Sequence, residues 1–307
     1  MTDSLLKELS NLTSAKETKK RSRTSLFVIS MAMCAALYAV GSYLTAYIPS
    51  PWGVGQFRPA VIIPAFFATV FGGLPAGIGA AMGTLIADSV KHGYLYPGSY
   101  LAAVPGNFVG FFLFGYICHK KFTWGRFIIA SNVTLTLANL IVAFLYVFGF
   151  QVLYASAPAY MALTTETLMW VSIGLTVWWF VTMLPFVLLV TPLLIRATAV
   201  AMPYIVPESV RTHSLKNELP KVQFGLAMLV PGIVMVLLGL ATTYTGLGGS
   251  LSQAIPAGIR AITLAMIQIL FYGSGIILMA LGIMVLAGKR LLWQSSTSEK
   301  SAKNSKE

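Results

Sequence analysis

Charge is scarce in this chain, and acidic charge most of all. Asp, Glu, Lys and Arg together make up 10% of its 307 residues, against roughly one quarter in a soluble domain, so a water-soluble globule is excluded. Cysteine is nearly absent too. Cys34 sits inside the first apolar run and Cys118 at the end of the fourth, too far apart across a membrane to meet one oxidising compartment, so two free thiols are expected. No phosphate-binding loop is present. The nearest approach runs from Gly282 to Gly288-Lys289-Arg290, one residue too long, with Arg where Ser or Thr must ligate magnesium. His92, His119 and His213 are too dispersed for a zinc site. There is no Gly-x-Ser-x-Gly elbow, and an intramembrane aspartyl protease needs two Asp at one depth where this chain has one. No catalytic residue, metal or cofactor is therefore expected, and the chain does not read as an enzyme.

What fills the chain is apolar. Hydrophobic residues make up 57% and the mean hydropathy is +0.78, which predicts an all-α integral membrane protein. Eight runs are long enough to cross a hydrocarbon core, or nearly so: about 25–48, 59–73, 74–90, 99–118, 127–150, 168–195, 222–244 and 261–288. The basic residues set the orientation. All but Arg58, Lys91 and Arg260 of the 21 Lys and Arg lie in the two tails or in the 119–126 and 196–221 loops. The positive-inside rule then places both termini in the cytoplasm. That bias accounts for the net charge of +12 without invoking nucleic acid. The run behind Lys19, Lys20, Arg21 and Arg23 is too long for a cleaved signal and reads as a retained span.

The chain divides into a cytoplasmic tail at 1–24, a six-span core at 25–196, a polar cytoplasmic linker at 197–221, a two-span extension at 222–288 and a second tail at 289–307. The extension encloses a Gly- and Ser-rich loop at 242–256. Small residues at helical spacing mark packing faces. Gly79, Gly83 and Ala87 form one on the third span. Ala32 with Ala36, and Ala35 with Ala39, form two on the first. These serve either packing within the chain or the docking of another membrane subunit.

Ionisable and polar groups inside a bilayer are expensive, so their placement is informative. Arg58, Asp88 and Asn107, beside helix breaks at Pro59, Gly93 and Pro105, all map to the outer half, as do Tyr94, Tyr100, Asn139, Glu166 and Trp170. Polar and aromatic groups over an apolar inner half predict a pocket open to the outside, with aromatics for a flat solute and polar groups to orient it. A purely structural Arg58–Asp88 ion pair is the competing reading.

The Ala-x-x-x-Ala strips, the run Arg58-Pro59-Ala60-Val61-Ile62-Ile63-Pro64-Ala65-Phe66-Phe67 continuing to Gly72, and the Gly-x-x-x-Gly pattern closing on Asp88 resemble the substrate-capture (S) component of energy-coupling factor transporters. The resemblance covers about residues 25–196. It implies a core that binds a vitamin-like micronutrient on the outer face. It further implies docking of Ala32, Ala35, Ala36 and Ala39 on a separate transmembrane coupling subunit driven by ATPase chains. Residues 197–307 depart from the family pattern, in which most members end after six spans. The alternatives are a structural or assembly subunit of a larger membrane complex, and a self-sufficient ion-coupled carrier with Asp88 as its coupling acid.

Overall fold

The computed structural model describes residues 24–50, 55–119, 121–245, 261, 264, 265 and 268–288. Among these the regular structure is helical. Extended pairing is limited to one isolated antiparallel bridge, Pro49 with Gln56. The principal helices are α1 (Thr24–Leu44), α2 (Pro59–Phe71), α3 (Gly73–His92), α4 (Ser99–Cys118), α5 (Trp124–Tyr154), α6 (Thr165–Ala201), α7 (Lys221–Tyr244) and α8 (Phe271–Leu286). Six of them are long and apolar enough to cross a membrane; α2 and α8 are apolar but shorter than the roughly 20 residues a full crossing needs. The two tails, and nearly all of the loop expected at 242–256, lie outside the described residues.

The breaks between helices have local causes. Gly72, at φ 98° and ψ 172°, separates α2 from α3 in a conformation that a side chain would strain. α3 ends on Gly93, left-handed at φ 78°, whose N–H donates to the Ser89 carbonyl at 2.9 Å. α5 and α6 start on threonine caps: Thr123 Oγ1 accepts from the Arg126 N–H at 3.1 Å, and Thr164 Oγ1 from the Thr167 N–H at 3.2 Å. α6 carries Pro185 and Pro192 in its interior and runs for 37 residues, about 55 Å. That exceeds a hydrocarbon core of about 30 Å, so α6 projects beyond it.

Small residues set the packing. A methyl on Gly79 would lie 2.6 Å from Cys34 Cβ, and one on Gly83 2.7 Å from the Ala35 carbonyl oxygen, so α3 lies directly on the α1 backbone. Ala35 and Ala39 are buried, whereas Ala32 and Ala36 are exposed. The two alanine strips thus face different surroundings. α7 and α8 pack on each other along their length, and α7 rests mainly on α6. The connection from α6 to α7 is less loose than its polar composition predicts. Two short helical turns there, Glu208–Arg211 and Leu215–Glu218, bury Val206, Val210, Leu215 and Leu219, and His213 meets the Phe122 ring edge-on at 5.8 Å. Cys34 and Cys118 are free and buried.

Candidate functional site

Where α1 ends, α2 begins and α3 ends, the bundle holds a cavity of about 330 Å³. The segment between α1 and α2 forms its cap. Phe57 N–H donates to the Ile48 carbonyl at 2.8 Å and Ser50 N–H to the Gly55 carbonyl at 3.1 Å, which pairs Gln56 with Pro49 in an antiparallel bridge just after Gly55, left-handed at φ 75°. In an extended chain alternate side chains share a side. Gln56 and Arg58 line the cavity, while Phe57 between them packs edge-on against Phe186 at 5.6 Å in the apolar core.

Arg58 directly precedes Pro59, which is well suited to a first helical position. Its guanidinium bonds to Asp88 Oδ1 and Thr84 Oγ1, two side chains four residues apart on one face of α3. Both members of the ion pair are buried, with side chains 11% and 7% exposed. Gln56 Nε2 donates to the same carboxylate oxygen at 2.7 Å, and Trp179 Nε1 on α6 donates to the Gln56 carbonyl at 3.0 Å. Lys91, one turn beyond Asp88, donates to Gln56 Oε1 at 2.8 Å and to the Ala46 carbonyl at 2.6 Å. Gln56 therefore bridges the ammonium and the carboxylate. Five hydrogen bonds hold the cap to α3 and one holds it to α6.

The opposite wall is aromatic. His92 Nδ1 lies 2.7 Å from the Asp88 carbonyl oxygen, an acceptor only, so Nδ1 carries a proton. The His92 ring stacks on Tyr96 with centroids 3.9 Å apart. Tyr96 is held from the turn after α3, its N–H donating to Ser89 Oγ at 3.2 Å, and its hydroxyl meets that of Tyr146 at 3.0 Å. Tyr146 lies in a π-helical stretch of α5, Leu145–Tyr154. With its wider turn, residues five apart come into register, and Gln151 Nε2 donates to the Tyr146 hydroxyl at 3.0 Å. A second π-helical stretch, Ser99–Ala103, opens α4 and packs against it. Deeper in the cavity stand Asn107 and Asn139. Asn107 Nδ2 donates to the Ala103 carbonyl at 2.9 Å. The buried Asn139 meets only the Met183 sulfur, at 3.8 Å.

No protein family, curated protein or solved structure matches this chain. The site is therefore argued from its own residues. Of the eight predicted solute contacts, Arg58, Asp88, Asn107 and Asn139 line one cavity. The other four do not. Tyr94 is 58% and Trp170 62% exposed, and Tyr100 and Glu166 are also exposed, away from the cavity lining. Sequence reasoning passed over Gln56, Tyr38, Tyr146, Trp179 and Met183 as cavity residues. For Trp179 a signal was available: Ser172, Thr176 and Trp179 repeat at helical spacing on α6 and are all buried. Among the described residues no group of three or more His, Cys, Asp or Glu is placed to hold a metal ion.

The arrangement is that of a small-molecule cavity. It offers a preformed hollow with charged, amide and aromatic walls, at the lower end of the ~300–1,000 Å³ usual for small-molecule sites. The one carboxylate in the lining accepts, through Oδ1, from an arginine and an amide.

Proposed function

We propose that this chain is a solute-binding membrane protein, the capture component of an importer that delivers its solute through a separate, ATPase-driven coupling module. The observation that carries the reading is the polar and aromatic cavity itself, within helices otherwise apolar enough to span a membrane. Polar side chains at such depth are retained where they have a task. In this reading eight helices traverse the cell membrane with both termini in the cytoplasm, as the basic-residue bias supports. The cavity then opens outward. A vitamin-like or other small micronutrient is the solute class, and the exposed Ala32 and Ala36 supply the surface for a coupling subunit. A carrier using Asp88 as coupling acid is less well supported, because that carboxylate is already bound by Arg58 and Gln56.

The test is direct. Protein purified from its native membrane is extracted and the released small molecules identified by mass spectrometry. The same solute is then titrated into the wild type and into Asn139→Leu. Because Asn139 has only a sulfur partner, its replacement orphans no polar group within the protein and folding is expected to persist. Loss of one solute hydrogen bond, about 1 kcal/mol, predicts an affinity lower by roughly fivefold. No co-purifying small molecule, together with unaltered behaviour of the variant, overturns the proposal.

A further inference from the structure

The cavity walls are not electrically balanced. Arg58 and Lys91 both line the cavity and Asp88 is the single acid there. His92 is held by its Nδ1 contact with the Asp88 carbonyl and stacks on Tyr96. Pro51 to Val54, which lie outside the described residues, bear no ionisable side chain. One carboxylate thus serves two cations, and it is bonded to Arg58. Lys91 donates only to neutral acceptors, the Ala46 carbonyl and Gln56 Oε1, with the Tyr47 ring 5.7 Å from its nitrogen. Each acceptor that Lys91 donates to is uncharged, and Asp88, one turn away, is already bonded by Arg58 and Gln56, so the half-buried hollow keeps a net positive field. Aromatic rings share the lining: the Tyr96–His92 stack, Tyr146 and Trp179.

We infer that the solute is a small monoanion, a carboxylate carried on a planar ring, with its anionic group on Lys91 and its ring against the aromatic lining. This rests on the capture reading above and narrows it to a charge class. A single negative charge neutralises the excess of the lining, whereas a cation adds to it and a polyanion reverses it. An ammonium–carboxylate contact joins two opposite charges and is stronger than the bonds Lys91 donates to neutral oxygens, so an arriving carboxylate displaces or joins them. The ring contributes area and stacking without further charge.

The experiment uses the full-length protein in detergent and reads thermal shift and tryptophan fluorescence. The probes are benzoate, benzamide and benzylamine, with the matching pyridine-3 and indole-3 series, each up to millimolar concentration. Within a series the ring is constant and the charge is −1, 0 or +1. The expected result is binding by at least one carboxylate, at least tenfold tighter than its own carboxamide and with no binding of its amine. Lys91→Gln is expected to bring the carboxylate-to-carboxamide ratio near one, and Lys91→Arg to preserve it. If a neutral or cationic member binds best, or if the preference survives in Lys91→Gln, the charge inference fails while solute capture stands. If no probe binds, the inference is overturned, and absence of any co-purified solute overturns the capture reading as well.

Discussion

Replacing Asp88 by Asn removes one charge and almost no volume, so its effect isolates what the carboxylate does. In the wild type Asp88 Oδ1 accepts from Arg58 and from Gln56, and Arg58 also donates to Thr84. After the change the guanidinium remains buried, faced by neutral acceptors only, with Lys91 one turn away. Breaking a buried pair by removing one partner costs about 3–5 kcal/mol, because the desolvation of the surviving charge is no longer offset. The asparagine oxygen still accepts one bond, which places the expectation at the low end, about 3 kcal/mol. At ~2–4 °C per kcal/mol for a chain of this order of size, melting falls by roughly 6–12 °C. Arg58→Met is expected to be milder, since the freed carboxylate keeps Gln56 and has Lys91 close by. The double change Arg58→Met with Asp88→Leu is expected to recover most of the loss, both charges having left together. Melting of purified protein in detergent, followed by tryptophan fluorescence alongside a solute titration, measures both sides. If Asp88→Asn melts within about 0.5 kcal/mol of the wild type, the ion pair is not held in a low-dielectric interior and the reasoning fails. If stability falls as expected and affinity does not change, the pair is structural, and the binding role assigned to Asp88 is withdrawn.

The alanine strips separate packing from docking. Ala35→Leu forces volume against α3 and is expected to destabilise the purified protein by about 1–3 kcal/mol, whereas Ala36→Leu on the exposed side leaves melting and solute binding intact and abolishes uptake by cells. Uptake retained in Ala36→Leu removes the docking surface. Sidedness is read with an impermeant thiol reagent on intact cells. Cysteine at the exposed Ala162, between α5 and α6, is expected to react and cysteine at the exposed Thr212, between α6 and α7, is not; the buried Cys34 and Cys118 stay silent. The reverse pattern inverts the orientation.

The helices were legible because each is a long apolar run punctuated by Gly, Pro or a basic loop, and the eight expected runs overlap α1 to α8. The cavity was legible in half. Arg58, Asp88, Asn107 and Asn139 stand out as polar groups within apolar helices, and such groups must face something polar. The aromatic half was misplaced, for a geometrical reason. Position along a sequence gives depth, but azimuth requires knowing which face is covered. Trp170 and Trp179 both stand on α6, and nine residues at about 100° each put them on opposite faces, one exposed and one in the cavity. Tyr94 and Tyr96 both follow the left-handed Gly93, where no helical rule applies; Tyr96 stacks on His92 and lines the cavity, whereas Tyr94 meets the His92 ring edge-on at 6.1 Å and does not line it. Gln56 was missed because its role depends on a bridged cap that composition does not announce.

The same limit, in reverse, explains how the last two helices meet. Gly225, Gly232 and Gly239 recur every seven residues on α7, and Gly275 and Gly282 do so on α8. A methyl on Gly232 would lie 2.9 Å from the Gly275 carbonyl oxygen, and one on Gly282 2.8 Å from that of Gly225. The pairs 225 with 282 and 232 with 275 have the same residue-number sum, which an antiparallel register requires. The period is visible in either helix alone, but the partner is visible only when both are compared, since a glycine stripe says that a backbone approaches and not whose. The pairing has a functional consequence. With α8 held to α7 by backbone contact, and α7 resting mainly on α6, no described residue of either helix lines the cavity. The lining is thereby confined to α1, α3–α6 and the segments that follow α1 and α3, and α7 bears on it mainly through α6, the helix that supplies Trp179 and Met183.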